Sequence, residues 1–130
     1  MSQKILEQAP SKGYKKLIVW QKAMELVVAV YAVTEKFPRT EQYGLSSQMR
    51  RSAVSIPSNI AEGQARHGTR EFLQFISHAM GSLAEIETQV ALSERLGHCV
   101  SADTAEIERL IADLDRMLRA LRRSLDKEPV

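Results

Sequence analysis

The side chains best suited to acid–base or metal chemistry are few in this chain and lie far apart. The histidines His67, His78 and His98 fall in a predicted loop, a predicted helix and a second predicted loop. Cys99 follows His98 directly, but a tetrahedral zinc site needs further ligands, and no second pair supplies them. The sequence also lacks the Glu-x-x-His pairs of di-iron bundles, a glycine-rich phosphate loop and a nucleophile elbow. We therefore predict no catalytic residue, no metal site, no cofactor and no enzymatic activity.

Two groups of basic residues are better candidates for binding, because few acids lie near them in sequence. The first group lies at the start of the first predicted helix, where cations oppose the helix dipole. The second group includes Arg39 and has only Glu41 and Glu62 among its members. It extends to the start of the third predicted helix, where backbone N–H groups also bind phosphate. The candidate nucleic-acid contacts are Lys12, Lys15, Lys16, Arg50, Arg51, Arg66 and Arg70.

For the second group, salt bridges between subunits explain the residues about equally well, since a net charge of +2 is too small to decide. For the first group, a polyanion, an acidic partner surface and simple solvation are all open explanations. The arginines at the end of the fourth predicted helix are different. They follow acids at the start of that helix, an order that the helix dipole favours. We therefore interpret these arginines of the fourth helix as structural: Arg116, Arg119, Arg122 and Arg123.

A proline interrupts residues 45–60, where apolar side chains otherwise keep helical spacing. Pro57 has no N–H to donate to the carbonyl of Ala53, and its ring crowds that carbonyl, so the second helix is predicted to be kinked there. Small residues around Pro57 would let another helix approach closely. We interpret Asn59 and Glu62, which lie one turn apart beside the proline, as a polar contact between helices or subunits.

The same stretch carries a family resemblance. The matching segments cover residues 19–26, 37–63 and 71–89 and include the run Arg50-Arg51-Ser52-Ala53-Val54-Ser55-Ile56-Pro57-Ser58-Asn59-Ile60-Ala61-Glu62-Gly63. They resemble the signature of the four-helix-bundle proteins that are encoded in 23S ribosomal RNA intervening sequences. The resemblance extends from about residue 17 to about residue 96.

This resemblance implies a helical bundle that assembles into a homo-oligomer. Similarity to the accessory variability proteins of diversity-generating retroelements, which share this bundle type, implies a pentamer. Those proteins are understood as scaffolds that bring nucleic acid and a reverse transcriptase together. Apolar residues that lie off the main helical stripes also favour an oligomer, since a monomer does not need them there: Ile18, Val30, Val33 and Val54.

Length and composition are those of one globular domain. The chain has 130 residues, of which 44% are hydrophobic and 26% are charged, so it is long enough to bury a core. One cysteine fits a reducing compartment, and the first residues lack the apolar core of a signal peptide. The longest apolar run, residues 26–32, is too short to span a bilayer. We expect a cytoplasmic protein without membrane association.

Four segments have the apolar periodicity of helices, and none resembles a strand. Residues 1–11 have no such period and are predicted to be a mobile lead-in, so that residues 12–126 form the domain. With short connections, the simplest fold is an all-α, antiparallel up-down four-helix bundle. On the first helix, the stripe predicted to face the core consists of Leu17, Trp20, Met24, Val27 or Val28, and Tyr31.

Capping residues predict where these helices begin and end. The first is expected over residues 12–36, because the residue before Pro38 is pushed out of the α region. The second and third are expected to stop near residues 63–68 and at Gly97. The later helix N-caps are predicted at Thr40, at Thr69, and at Ser101 or Asp103.

Two functional hypotheses remain open. The leading hypothesis is a non-enzymatic, oligomeric bundle that associates with RNA or another nucleic acid through the basic residues named above. The alternative is a protein–protein interaction scaffold whose basic residues form salt bridges between subunits, with no nucleic-acid role. The salt dependence of nucleic-acid binding distinguishes the two hypotheses, because counterion release makes nucleic-acid affinity fall steeply as the salt concentration rises.

Overall fold

A computed structural model describes residues 13–127, and these residues form four α-helices. The helices are α1 (Ile18–Thr34), α2 (Leu45–Ala65), α3 (Thr69–Arg95) and α4 (Ser101–Asp126). Short 3-10 turns, Gly13–Lys16 and Arg39–Glu41, precede α1 and α2, and the described residues contain no strand. Helices α1 and α3 each pack against both α2 and α4. The predicted all-α four-helix bundle is confirmed. Lys12 and the predicted lead-in lie outside the described residues.

Aliphatic side chains from all four helices fill the core. Leu26, Ile56, Ile86 and Leu114 are examples with no exposed surface, one from each helix. Burying a large aliphatic side chain of this kind contributes about 1.5–3 kcal/mol. The few buried polar residues are all serines and threonines. The core is therefore apolar, and charged side chains are left to the surface and the helix ends.

The buried face of α1 differs from the predicted stripe. Val19, Ala23, Leu26 and Val30 face the core. Of the predicted stripe, Leu17, Trp20 and Val27 pack against the core, whereas Met24, Val28 and Tyr31 are 42%, 68% and 43% exposed. Val30, which was predicted to lie off the main stripe, is fully buried. The prediction was wrong in part because most residues of α1 are apolar, so its periodicity indicates the core face only weakly.

The N-cap of α2 is Gly44, so the predicted N-cap at Thr40 was wrong. The Oε1 atom of Glu41 accepts the N–H of Leu45 at 3.0 Å, while Thr40 lies inside the preceding 3-10 turn. A carboxylate there satisfies a free N–H group and complements the helix dipole. Asp103 acts similarly at the start of α4, where its Oδ2 atom accepts the N–H of Val100 at 2.9 Å. Val100 is therefore the N-cap, so the predicted position was wrong by one residue or more.

The other helix limits agree more closely with the predictions. Helix α2 ends at Ala65, and Gly97 follows α3 with a φ of 77°, a left-handed value that favours glycine. Helix α3 begins at Thr69, and its N-cap is Gly68, so the predicted N-cap at Thr69 was wrong by one residue. Helix α1 begins six residues later than predicted, because a 3-10 turn occupies Gly13–Lys16.

Helices α2 and α3 share the closest packing in the bundle. Ser93 Oγ lies 3.4 Å from Met49 Sδ, and Ser55 is hydrogen-bonded to Ser82. Gly63 packs closely against Phe72, near the start of α3. Contact positions therefore rise along α2 while they fall along α3.

Helix α2 runs without interruption through Pro57, whose ring is buried. The hydroxyl of Ser55 donates to the carbonyl of Ser52 at 2.8 Å. Small side chains near the proline thus accompany the close approach of α3, as expected for this segment. The bend at Pro57 and the full up-down order of the helices stay predictions.

Candidate nucleic-acid interface

Two of the predicted lysines lie in the 3-10 turn before α1. Lys15 and Lys16 are both exposed, and the turn packs against α1 and α2. A Cβ added to Gly13 would lie only 3.1 Å from Oε1 of Gln64, near the end of α2. The side chain of Gln21 also donates to the carbonyl of Lys15 at 3.0 Å. These contacts hold both lysines beside the C-terminal end of α2.

Two of the predicted arginines lie at this end of α2. Arg66 directly follows α2 and Arg70 lies in the first turn of α3, and both are exposed. Arg66 Nη2 lies 3.4 Å from Glu62 Oε2, and its guanidinium is 5.1 Å from the ring centre of Phe75. An exposed ion pair of this kind contributes less than about 1 kcal/mol, so Arg66 can exchange its partner. We call Lys15, Lys16, Arg66 and Arg70 the basic end.

Arg50 is held by contacts within the chain. Its Nε donates to Thr34 Oγ1 at 2.8 Å, and its Nη2 donates to the carbonyl of Tyr31 at 3.4 Å and to Glu35 Oε2 at 3.3 Å. The guanidinium also lies 4.5 Å from the ring centre of Tyr31. Arg50 therefore connects α2 to the end of α1. The neighbouring Arg51 is exposed and has no ion pair among the described residues.

The predicted basic residues do not form one patch. At 1.5 Å per residue, Arg51 and Arg66 are separated by about 22 Å along α2. Arg51 instead lies beside Arg39, and both line a groove between the end of α1, the connection to α2 and the first half of α2. Arg70 and Arg39 also lack an ion pair within residues 13–127. The structure thus separates the candidates into the basic end and a second, groove-lining group.

Asn59 and Glu62 have different partners. Asn59 Nδ2 donates to the carbonyl of Ser55 at 2.7 Å, one turn earlier in α2. Glu62 pairs with Arg66 in the next turn. Asn59 is half-buried and lines a shallow groove between α2 and α3. The two side chains therefore contribute to the packing and charge balance of α2 separately, and not as a pair.

Most arginines of α4 are paired with acids of the same helix. Arg109 bonds Glu106, Arg116 bonds Asp113 at 2.9 Å, and Arg119 bonds Asp115 at 3.0 Å. The hydrogen bond from Arg116 lowers the pKa of the Asp113 carboxyl. These i,i+3 and i,i+4 pairs neutralise charge along the outer face of α4. Arg122 and Arg123, in the last turns of α4, have no ion pair among the described residues, so the predicted structural role is supported only for part of this set.

The only histidine in an ion pair among residues 13–127 is His98. Its Nε2 atom lies 2.8 Å from Glu41 Oε2, and its ring packs against Phe37. Burial, followed by the charges of Glu94 and Asp103, raises the pKa of the Cys99 thiol, which disfavours the reactive thiolate. Within the described chain, no three of the His, Cys, Asp and Glu side chains are grouped so as to hold a metal ion.

Sequence reasoning missed two surface features. The first is the groove and its rim residue Tyr43, which is 91% exposed. The second is the outer side of α1, where Ile18 and Val28 are 64% and 68% exposed. An exposed tyrosine in a short polar connection is a weak signal that could have indicated the groove. The polar residues Gln21 and Glu25, one turn apart and both exposed, are the sequence signal that could have indicated the outer side of α1.

These features define the class of protein: an all-α bundle with four helices, a basic end and an arginine-lined groove. Residues 15–120 match the family model described as 23S rRNA-intervening sequence protein, and the chain belongs to that family. The match covers most of the chain and confirms the resemblance read from the sequence. A search of curated proteins finds no match. In the described part of the chain, no helix has both the length and the apolar character needed to cross a membrane.

Proposed function

We propose that this protein is a non-enzymatic, homo-oligomeric bundle that associates with RNA or another nucleic acid through its basic end. The supporting observation is the packing of the Gly13–Lys16 turn against the end of α2. It brings Lys15 and Lys16, which come from one part of the sequence, to the end of the bundle that carries Arg66 and Arg70. Four cations at one end, of which Arg66 has only an exposed pair with Glu62, suit a phosphate backbone.

The exposed side of α1 supports the oligomer. Ile18, Met24 and Val28 are 64%, 42% and 68% exposed, and an apolar helix side of this kind is typical of a protein–protein contact. A second copy of the chain is the simplest occupant, since most soluble oligomers are homo-oligomers. The family resemblance implies five subunits. An oligomer would also repeat the basic end several times and so increase its affinity for a long polyanion.

The exposed α1 side also favours the alternative function. In that case the bundle is a protein–protein interaction scaffold, and its cations pair with acids of neighbouring subunits. Glu25, which is exposed on α1, is one acid that such a contact could use. This arrangement needs no nucleic acid.

The decisive test measures RNA binding and oligomeric state on the same variants. Fluorescence anisotropy of a labelled structured RNA is followed at several salt concentrations for the wild type and for Lys15→Ala with Lys16→Ala. If both lysines contact phosphates of a single strand, the slope of log K against log salt falls in magnitude by about 1.4. Arg95→Ala removes an exposed, unpaired cation far from the basic end and should leave the slope unchanged.

Sedimentation of the same samples measures the oligomeric state and so distinguishes the two proposed functions. The proposal requires that the lysine variant keeps the wild-type assembly while it loses affinity. No binding at low salt by a folded, assembled wild type would refute it. Loss of the assembly in the lysine variant would support the scaffold alternative instead.

A further inference from the structure

The groove lined by Arg39 and Arg51 is separate from the basic end. It has a volume of about 830 Å³ and is open to solvent on one side. Pockets of about 300–1,000 Å³ accept small molecules. The groove therefore has room for on the order of one or two nucleotides and is far too small for a duplex. Its walls come from the end of α1, the connection that contains the Arg39–Glu41 turn, and the first half of α2. We call it the Tyr43 groove, after the residue at its rim.

The charge in the groove is positive and uncompensated. Three arginines and a single acid, Glu35, are among its lining residues. Arg50 forms a salt bridge with Glu35 at 3.3 Å, so these two charges neutralise each other. Arg39 and Arg51 then remain without an ion pair among the described residues. A ligand that complements the groove must therefore be an anion.

Arg50 lines the groove and also offers it hydrogen-bond donors whose position is fixed. Its hydrogen bonds to Thr34, Tyr31 and Glu35 use Nε and Nη2. A guanidinium has five N–H donors, so the two on Nη1 stay available. Because the side chain is already held in place, binding through Nη1 costs little additional ordering.

An exposed aromatic ring completes the site. Tyr43 is 91% exposed although it lines the groove, so its ring has free surface for a ligand. Ser47 and Gln42 supply further polar groups along the same wall. Aromatic rings beside arginines bind nucleobases by stacking while the cations bind the phosphates. An acidic peptide would use the arginines but would not need an open ring.

We propose that the Tyr43 groove binds unpaired nucleotides of a single-stranded RNA segment. Arg39 and Arg51 contact the phosphates, and a base stacks on Tyr43. This inference rests on the proposed nucleic-acid function and specifies which form of nucleic acid is bound. Unpaired loops and ends are the parts of RNA whose bases are free to stack on side chains.

The test compares a labelled single-stranded RNA with the same sequence annealed into a duplex. Anisotropy titrations use the wild type, Tyr43→Ala, Tyr43→Phe and Arg51→Glu. Tyr43→Ala should weaken single-strand binding by on the order of tenfold, whereas Tyr43→Phe keeps the ring and should bind like the wild type. Duplex affinity should not respond to either change. Arg51→Glu should weaken single-strand binding by at least tenfold, and Arg95→Glu, the same change outside the groove, should not.

Other outcomes overturn the inference in distinguishable ways. Single-strand affinity that is unchanged in Tyr43→Ala would exclude stacking in the groove. If RNA binding depends on Lys15 and Lys16 but not on Arg51 or Tyr43, the basic end is the binding site and the groove inference alone fails. If wild-type protein binds no RNA, the proposed function fails with it. A loss of assembly in a folded Arg51→Glu variant would identify the groove as a subunit contact and overturn the proposal.

Discussion

The tightest contact between α2 and α3 lies at Gly63, and we expect Gly63→Ala to destabilise the fold. Gly63 is buried. A Cβ there would lie 2.8 Å from Cδ1 of Phe72 and 2.8 Å from Cβ of Phe75. A ring edge can rotate away, but the Cβ of Phe75 is fixed to its backbone, so the two helices must separate. Overpacking of this kind costs about 1–3 kcal/mol, while alanine gains up to about 1 kcal/mol in helix propensity. We expect a net loss of about 1–2 kcal/mol.

The matched control is Gly81→Ala in the middle of α3. No heavy atom of another element lies within 4 Å of the Cβ that this change would add. Only the propensity gain remains, so Gly81→Ala should stabilise the fold by about 0.5–1 kcal/mol. For a chain of this length, 1 kcal/mol corresponds to roughly 3–4 °C in Tm. Thermal unfolding followed by far-ultraviolet circular dichroism should therefore move in opposite directions for the two variants.

Either of two results would refute this reasoning. A Gly63→Ala variant that melts at or above the wild-type Tm would mean that α2 and α3 do not approach each other as closely as the structure has them. A Gly81→Ala variant that melts below the wild type would mean that the surface of α3 around Gly81 is covered by another molecule.

Three further changes test other contacts. Arg50→Ala should cost about 1–2 kcal/mol in urea unfolding, because it removes three hydrogen bonds and a ring contact, whereas Arg51→Ala should stay within about 0.5 kcal/mol. Asp103→Ala removes the acceptor at the start of α4 and should cost about 1 kcal/mol in the same assay. The N–H of Leu45, and then His98, lower the pKa of Glu41 from its ordinary 4.5. The stabilisation by the Glu41 carboxylate is therefore complete above that value and is lost as pH falls through the lower, folded-state pKa. The difference in urea midpoint between wild type and Glu41→Gln should shrink from pH 7 to pH 3, and a constant difference would contradict this cause.

Local signals were sufficient to predict the number of helices and several of their ends. Gly97 ends α3 because a residue with φ near 77° is strained unless it is glycine. Thr40 misled the prediction because a threonine is a good N-cap by type, whereas the N-cap is Gly44 and the oxygen that accepts the N–H of Leu45 belongs to Glu41 in the preceding 3-10 turn. The residue types indicated that a polar side chain would accept a free N–H at the start of α2. Which side chain does so depends on the backbone path of the connection, and this path could not be predicted from residue type.

The face of α1 could not be predicted for a different reason. Amphipathic helices such as α4 have polar residues on one side, and these mark the side that faces solvent. In α1, the exposed Val28 and the buried Val30 differ only in where α2 and α4 pack. If the exposed side contacts another subunit, its apolar residues Ile18 and Val28 are buried in the assembly, while Gln21 and Glu25 on the same helix supply polar contacts or face solvent.

The basic residues illustrate why charge in a sequence does not identify a binding site. Arg50 and Arg51 are adjacent and chemically identical, yet Arg50 joins α2 to α1 and Arg51 has no ion pair among the described residues. Reversal of the charge at Arg50 would place a second carboxylate beside Glu35, so lost RNA binding in Arg50→Glu could follow from a damaged bundle. Reversal at Arg51 leaves those contacts intact. Only a loss of affinity in Arg51→Glu, with unchanged Tm, therefore reports on the ligand.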